Sequence, residues 1–245
     1  MTQSSRPIEL HYWPTPNGWK IFIMLEECGL TYTVRGVDIG AGQQFEPAFL
    51  AISANNRMPA IVDPEGPDGK PISVFESGAI LQYLGRKTGK FYPQDERARV
   101  QVEEWLFWQM AGLGPMAGQA NHFRSYARLM LPDQRYVAYG TNRYVTEYQR
   151  LAGVLDKQLE GRDFIAGDYS IADMACYPWA RGMAFLTPGI HEGFDRVAAW
   201  IERISARDAV KTADEKGREL VHTAAAAGRE AEQARNVLFG QRARR

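Results

Sequence analysis

The chain has 245 residues, 45% of them hydrophobic and 24% charged, with 29 basic side chains against 29 acidic ones. Balanced charge offers no broad basic surface for nucleic acid, because phosphate binding needs clustered Lys and Arg. The start, Met1 to Pro7, is short and polar, and no apolar run reaches the ~18 residues of a spanning helix. Neither a membrane segment nor a signal peptide is expected, and the cytoplasm is the expected compartment.

The two cysteines, Cys28 and Cys176, are far apart with no CxxC pair, so they give no disulfide framework. His11, His122, His191 and His222 have no metal-ligand spacing with each other or with the cysteines, and no metal is expected.

In chain order, Ile8 to Trp13 reads as a strand and Thr15-Pro16-Asn17-Gly18 turns into a helical segment, Trp19 to Cys28. Gly29 stands where a helix-ending glycine belongs. Thr31 to Val37 resumes as a strand, so a βαβ unit with a buried parallel pair is expected. A glycine-rich loop, Gly40 to Gln44, and a short helical stretch, Pro47 to Ile52, follow. Ala60 to Val62 and Ile72 to Phe75 suit an antiparallel hairpin across a Pro/Gly/Asp turn. Glu76-Ser77-Gly78 then opens an amphipathic helix, Ala79 to Lys87.

Beyond a linker at about Gly89 to Gln94 the strand signal disappears. Val100 to Met110 is an aromatic helix, and Gly112, Gly114 and Pro115 should kink or break it. A long helix is expected over Pro132 to Leu159. Ser170-Ile171-Ala172-Asp173 matches the capping box ahead of a core helix, Met174 to Ala184. From Lys211 the chain is rich in Ala, Glu and Arg, which suggests a helix packed on the surface and then a frayed tail. The expected division is 1–89, 90–210 and a C-terminal extension, 211–245.

A βαβ unit, an isolated X-Pro before a strand, a hairpin and a helix opened by Glu-Ser compose a thioredoxin-like domain without its cysteines. The stretches Trp13 to Lys20, Asn55 to Val62, Phe75 to Leu81 and Trp105 to Gln109 resemble the Nu-class glutathione transferases and their disulfide-reducing relatives. The likeness runs from about Ile8 to Arg207 and leaves the tail uncovered. It implies a thioredoxin-like first domain, an all-α second domain, glutathione as co-substrate with no covalently bound cofactor, and a homodimer.

The resemblance also assigns roles. Met58-Pro59 is expected to be cis, with the Met58 main chain pairing with glutathione's cysteinyl backbone. At the start of the helix after Phe75, unpaired N–H groups and the positive dipole end attract an anion. There Ser77 would donate to the γ-glutamyl carboxylate and Glu76 would accept from its ammonium, the alternative being Ser77 as a plain helix cap. Gln44 and Arg57 match positions reaching the other carboxylate, and Arg143 matches one supplied across the dimer. For these three the alternative is a solvated surface side chain.

Thr15 and Asn17 are the catalytic candidates. A thiol attacks as thiolate, and a helix start with hydrogen-bond donors lowers its pKa. Gly18 stands where a capping box would need Glu or Gln, and the competing reading makes Thr15 only a cap over Pro16. No Tyr, Ser or Cys stands at that position, which disfavours tyrosine activation and a protein-bound mixed disulfide there. Cys28 and Cys176 read as buried small hydrophobes. Asn121, His122 and Phe123, after a broken helix, are candidates for the second-substrate pocket, with Trp105, Phe107 and Trp108 either bordering it or forming core.

The expected activity is glutathione-dependent disulfide reduction, using glutathione or its disulfide. Peroxide reduction, conjugation to electrophiles and an idle regulatory module of the same fold stay open.

Overall fold

The computed structural model describes residues 6–225 and 236–240. The chain divides into two compact units, Met1–Leu84 together with Asp208–Arg245, and Gly85–Arg207.

In the first unit, β1 (Ile8–Tyr12), α1 (Pro16–Cys28), β2 (Tyr32–Gly36), α2 (Pro47–Leu50), β3 (Ala60–Asp63), β4 (Ile72–Phe75) and α3 (Ser77–Thr88, which crosses the boundary at Leu84) form a thioredoxin-like domain. The sheet order is β2-β1-β3-β4, with β1 parallel to β2 and antiparallel to β3, and β3 antiparallel to β4. Leu10 and Tyr12 of β1, Ile21 to Leu25 of α1, Ile61 of β3 and Ile80, Leu81 and Leu84 of α3 are all buried. The parallel pair is only half as buried as expected. β2 is an edge strand whose residues are all partly or fully exposed, because an edge has no neighbour on one side.

Helix α1 ends as its sequence predicts. Gly29 has φ 66°, and Leu30 N donates to Leu25 O at 3.0 Å, closing the last turn. Within the glycine-rich loop, residues Gln43–Phe45 tighten into a 3₁₀ turn.

The second unit holds α4 (Glu96–Trp108), α5 (Gly114–Asn121), α6 (Arg128–Met130), α7 (Gln134–Gln158), α8 (Ile171–Leu186) and α9 (Asp195–Ser205). The expected break after the aromatic helix does not occur. The helix widens into a π turn at Gln109–Leu113 and continues as α5, so Gly114 and Pro115 lie within continuous helical structure. A Cβ at Gly114 would stand 2.6 Å from Gln109 Nε2, so the Gln109 amide would have to shift to admit one. A second π turn, His122–Ala127, follows α5 directly.

The Ser170–Asp173 capping box is present at the start of α8. Asp173 does more than cap, because Oδ1 also accepts from Ile165 N at 3.0 Å and from Trp200 Nε1 at 2.9 Å. Burial pushes its carboxyl up to about 6, against four hydrogen bonds that favour the charge.

Helix α10 (Asp208–Ala225) groups with the first unit. Lys216 Nζ donates to Glu26 and, at 2.7 Å, to the Tyr32 hydroxyl. Gly217 lies so close to α1 that a Cβ there would meet Trp19 Nε1 at 3.0 Å and the Tyr12 hydroxyl at 3.1 Å. The frayed tail expected further on falls mostly outside the described residues. No helix among those described is long and apolar enough to cross a membrane.

Candidate active site

Two helix starts and one loop of the thioredoxin-like unit carry the candidate residues. The first start is that of α1. Thr15 is extended at φ −122°, and its Oγ1 accepts from Gly18 N at 3.3 Å, so the cap is real. The same hydroxyl donates to Met58 Sδ at 3.6 Å. Capping uses an oxygen lone pair and leaves the proton to be given elsewhere, so the cap and donor readings of Thr15 are compatible. Asn17, half-buried, occupies the second helical position, where no carbonyl of the same helix can reach the backbone N–H. Gly18 is fixed by crowding, since a Cβ would lie 2.4 Å from Trp13 O and 2.7 Å from the Tyr12 ring. That explains why no acidic capping-box partner stands there.

The loop before β3 brings Met58 to this helix start. The Met58–Pro59 peptide bond is cis. Met58 is half-buried and packs against Val37, Phe49 and Ala60. Ser53 Oγ donates to Arg57 O at 2.8 Å and ties the loop down, while the Arg57 side chain stays exposed.

The second start is that of α3. Ile80 N donates to Glu76 O at 2.9 Å, which makes Glu76 the cap residue and Ser77 the first helical residue. Ser77 as a plain cap is thereby excluded. Glu76 is exposed and held at φ 69°, a left-handed conformation that is rare without glycine and gathers at ligand sites. Ser77 is buried, and its Oγ accepts from Lys20 Nζ at 3.3 Å. Lys20, only 1% exposed, is a polar residue of the site that the sequence reading passed over. A lysine directly ahead of an apolar helical run, Ile21 to Leu25, is the available signal, because full burial of lysine requires a partner.

The other candidates separate. Gln44 is 3% exposed, so the surface reading of it was wrong. Its Nε2 donates to Ile39 O at 3.2 Å, and its Oε1 has no hydrogen-bond partner among the described residues. Arg143, on α7 of the second unit, is exposed and meets Glu147 one turn on at 3.7 Å. Asn121, His122 and Phe123 sit where α5 passes into the second π turn, and not after a broken helix. Asn121 Oδ1 accepts from Ser125 Oγ at 2.9 Å. Burial lowers the His122 pKa. Phe123 stacks on Tyr144 at 5.6 Å and lies against Gly140, where a Cβ would be 2.3 Å from its ring, so it serves helix packing. Among the aromatics of α4, Trp105 and Trp108 pack edge to face at 5.0 Å, while Phe107 is exposed. Cys28 and Cys176 are buried free thiols. Among the described residues no group of His, Cys, Asp and Glu could hold a metal ion.

A thioredoxin-like fold with no cysteine at the start of α1, a cis-proline loop against that start and an anion-ready α3 joins to a helical second domain in one class of proteins. The sequence profile of the glutathione S-transferase N-terminal domain matches residues 7–86, and that of the C-terminal domain matches residues 140–208. The chain belongs to the glutathione S-transferase family. It is 47% identical over 204 residues to the disulfide-bond oxidoreductase YfcG of Escherichia coli, covering 82% of this chain and 92% of that protein. The disulfide-bond oxidoreductase YghU of the same organism is 38% identical over 221 residues, 84% of this chain and 73% of that one. A glutathione transferase family member from Pseudomonas fluorescens, solved with two glutathiones bound, superposes with a TM-score of 0.80 at 43% identity, covering 86% of this chain and 94% of that one. A Pseudomonas putida glutathione transferase with glutathione disulfide bound gives 0.79 at 42%, covering 86% and 92%.

Proposed function

We propose that this chain is a Nu-class glutathione transferase acting as a glutathione-dependent disulfide-bond reductase. The observation that carries the reading is the meeting of Thr15 and Met58: one contact joins the donor hydroxyl at the start of α1 to the loop whose backbone would pair with glutathione. The names of YfcG and YghU, and the glutathione and glutathione disulfide in the two Pseudomonas structures, support it.

In this reading the tripeptide's cysteinyl backbone pairs with Met58 beside Pro59, and its sulfur lies at the start of α1. The Thr15 hydroxyl and the Asn17 amide stabilise the thiolate, helped by the helix dipole. The γ-glutamyl carboxylate lies at the start of α3 on Ser77, and its ammonium on Glu76. Gln44 and Arg57 serve the glycyl end, with Arg143 supplied by the second copy of a homodimer. For Gln44 the donor is the second N–H of its amide, the first being held by Ile39 O. The thiolate attacks one sulfur of a disulfide, forming a mixed disulfide and releasing the other sulfur as a thiol. A second glutathione then attacks the glutathione sulfur of that mixed disulfide, giving glutathione disulfide and the second thiol. Asn121, His122 and Phe123 border the second substrate, and the enzyme works in the cytoplasm.

The test is reduction of hydroxyethyl disulfide by glutathione, run beside aryl-halide conjugation and cumene hydroperoxide reduction. Disulfide turnover well above the other two is the expected result. Thermal melting with glutathione disulfide should show stabilisation of about 2.7 kcal/mol at a hundred times Kd. No shift at millimolar ligand overturns the assignment.

A further inference from the structure

We infer that Lys20 is a positioning residue for Ser77: its buried ammonium fixes the Ser77 hydroxyl as a hydrogen-bond donor toward the start of α3. The inference rests on the reading of Ser77 as the ligand of the γ-glutamyl carboxylate.

Lys20 is on α1, five residues after Thr15, and its Nζ reaches across to α3, 3.3 Å from Ser77 Oγ. Among the described residues it is the one lysine in the buried set. An ammonium has three donors and no acceptor, so in this contact the Ser77 oxygen must accept. The hydroxyl proton is then directed to a different partner, and a carboxylate arriving at the helix start is the strongest acceptor it can meet. A neutral or acceptor side chain at position 20 would let the serine proton turn inward and present a lone pair to the anion.

Lys20 also binds the two helix starts into one unit, because α1 carries the thiol donors and α3 the carboxylate site. Glutathione spans both, so a lysine anchored in α1 and bonded to α3 fixes the separation that the tripeptide must match.

The test compares wild type with Lys20→Met, which keeps the length of the side chain and removes the charge and the donors. Affinity is measured by calorimetry for glutathione and for γ-aminobutyryl-cysteinyl-glycine, the analogue that lacks only the γ-glutamyl α-carboxylate. Lys20→Met should weaken glutathione roughly tenfold or more, the effect of a lost charge-assisted hydrogen bond, and leave the analogue within about twofold. In the Ser77→Ala background the same change should weaken glutathione by less than about threefold, because the two residues act as one. Lys20→Arg should recover part of the loss. Equal weakening of both ligands, weakening of neither, or a full effect in the Ser77→Ala background overturns the inference. If Lys20→Met does not fold, Lys20→Gln is read against the same criteria. A wild-type protein that binds glutathione no better than the analogue removes the carboxylate from Ser77, which is a failure of the underlying reading and is visible before any Lys20 variant is made.

Discussion

The Thr15 hydroxyl points its proton at the sulfur of Met58, 3.6 Å away, while its oxygen caps α1 through Gly18 N. A thioether is a weak acceptor and a thiolate a strong one. A glutathione sulfur arriving at this helix start should therefore draw the proton off Met58 without disturbing the cap. Thr15→Ala removes both functions and Thr15→Ser keeps both. The expected fall in disulfide-reduction rate for Thr15→Ala is ~10²–10³-fold, with about 1 kcal/mol lost in stability from the cap. Thr15→Ser should stay within a few-fold of wild type. Steady-state kinetics and melting curves on both variants check this. A Thr15→Ala enzyme with lowered stability and an unchanged rate would leave Thr15 a cap only.

The proposed homodimer gives Arg143 a role that can be tested. It is 53% exposed and has a 3.7 Å ion pair within its own helix, a surface arrangement of little energetic worth. On the same stretch of α7, Tyr136 and Tyr139 are exposed at 66% and 73%. Large aromatics at a three-residue spacing beside an arginine are typical of an interface. Light scattering at micromolar concentration should give twice 27.6 kDa. Arg143→Ala should raise the Kd for glutathione several-fold in the dimer. A monomer that binds glutathione with the same affinity with or without Arg143 removes that residue from the site.

The order and kind of the elements from β1 to α3 were legible in the sequence because each carries its own punctuation: Gly29, the cis-forming Met58-Pro59, and Glu76-Ser77. What escaped was set by contacts distant in sequence. Lys20 looked like part of an ordinary helix until α3 came to lie over it, and Gln44 looked like a loop side chain until the loop folded it inward. Helix α1 starts three residues before the expected Trp19, since Thr15 and Pro16 are helix-start residues that look like a turn when taken alone. The π turns were invisible as well. Gly112, Gly114 and Pro115 are breakers by local propensity, and only packing decides that the helix widens and continues.

The second unit carries a pH response separate from the site. Tyr148 hydroxyl and His191 Nε2 are 2.7 Å apart, and burial lowers the His191 pKa to about 4. The folded state thus binds fewer protons than the unfolded chain between pH ~6.5 and ~4. A depressed folded pKa contributes stability that is present above the unfolded value and is lost as pH falls through the folded one. Acidification from pH 6.5 to 4 should cost on the order of 1–3 kcal/mol through this histidine, the lower end allowing for its partial exposure. Asp173, raised to about 6, acts with the opposite sign over part of the same range, so the raw curve mixes the two. The difference between wild type and His191→Gln isolates the histidine. Urea denaturation at intervals across that range should show the gap between the two proteins closing as pH falls. A constant gap would mean that the histidine is not titrating in this window.

The last expectation concerns whose sulfur does the chemistry. Cys28 lies in the first unit with its Sγ 3.9 Å from Met24 Sδ, and Cys176 lies in the second unit, wholly buried in α8. Neither stands at a helix start, and both are buried away from an incoming substrate. Position 15, where a redox-active thioredoxin-like protein would carry a cysteine, is Thr. The double variant Cys28→Ala, Cys176→Ala should therefore reduce hydroxyethyl disulfide with glutathione at a rate within about twofold of wild type, corrected for folded protein. It should lose about 1–3 kcal/mol of stability from the two small cavities. Mass spectrometry of wild type quenched during turnover should show no glutathione adduct on either cysteine. An adduct on one of them, together with loss of turnover in a folded double variant, would transfer the nucleophile from glutathione to the protein. Thr15 and Asn17 would then no longer be needed to activate a bound thiol, and the rate loss expected of Thr15→Ala should vanish with it.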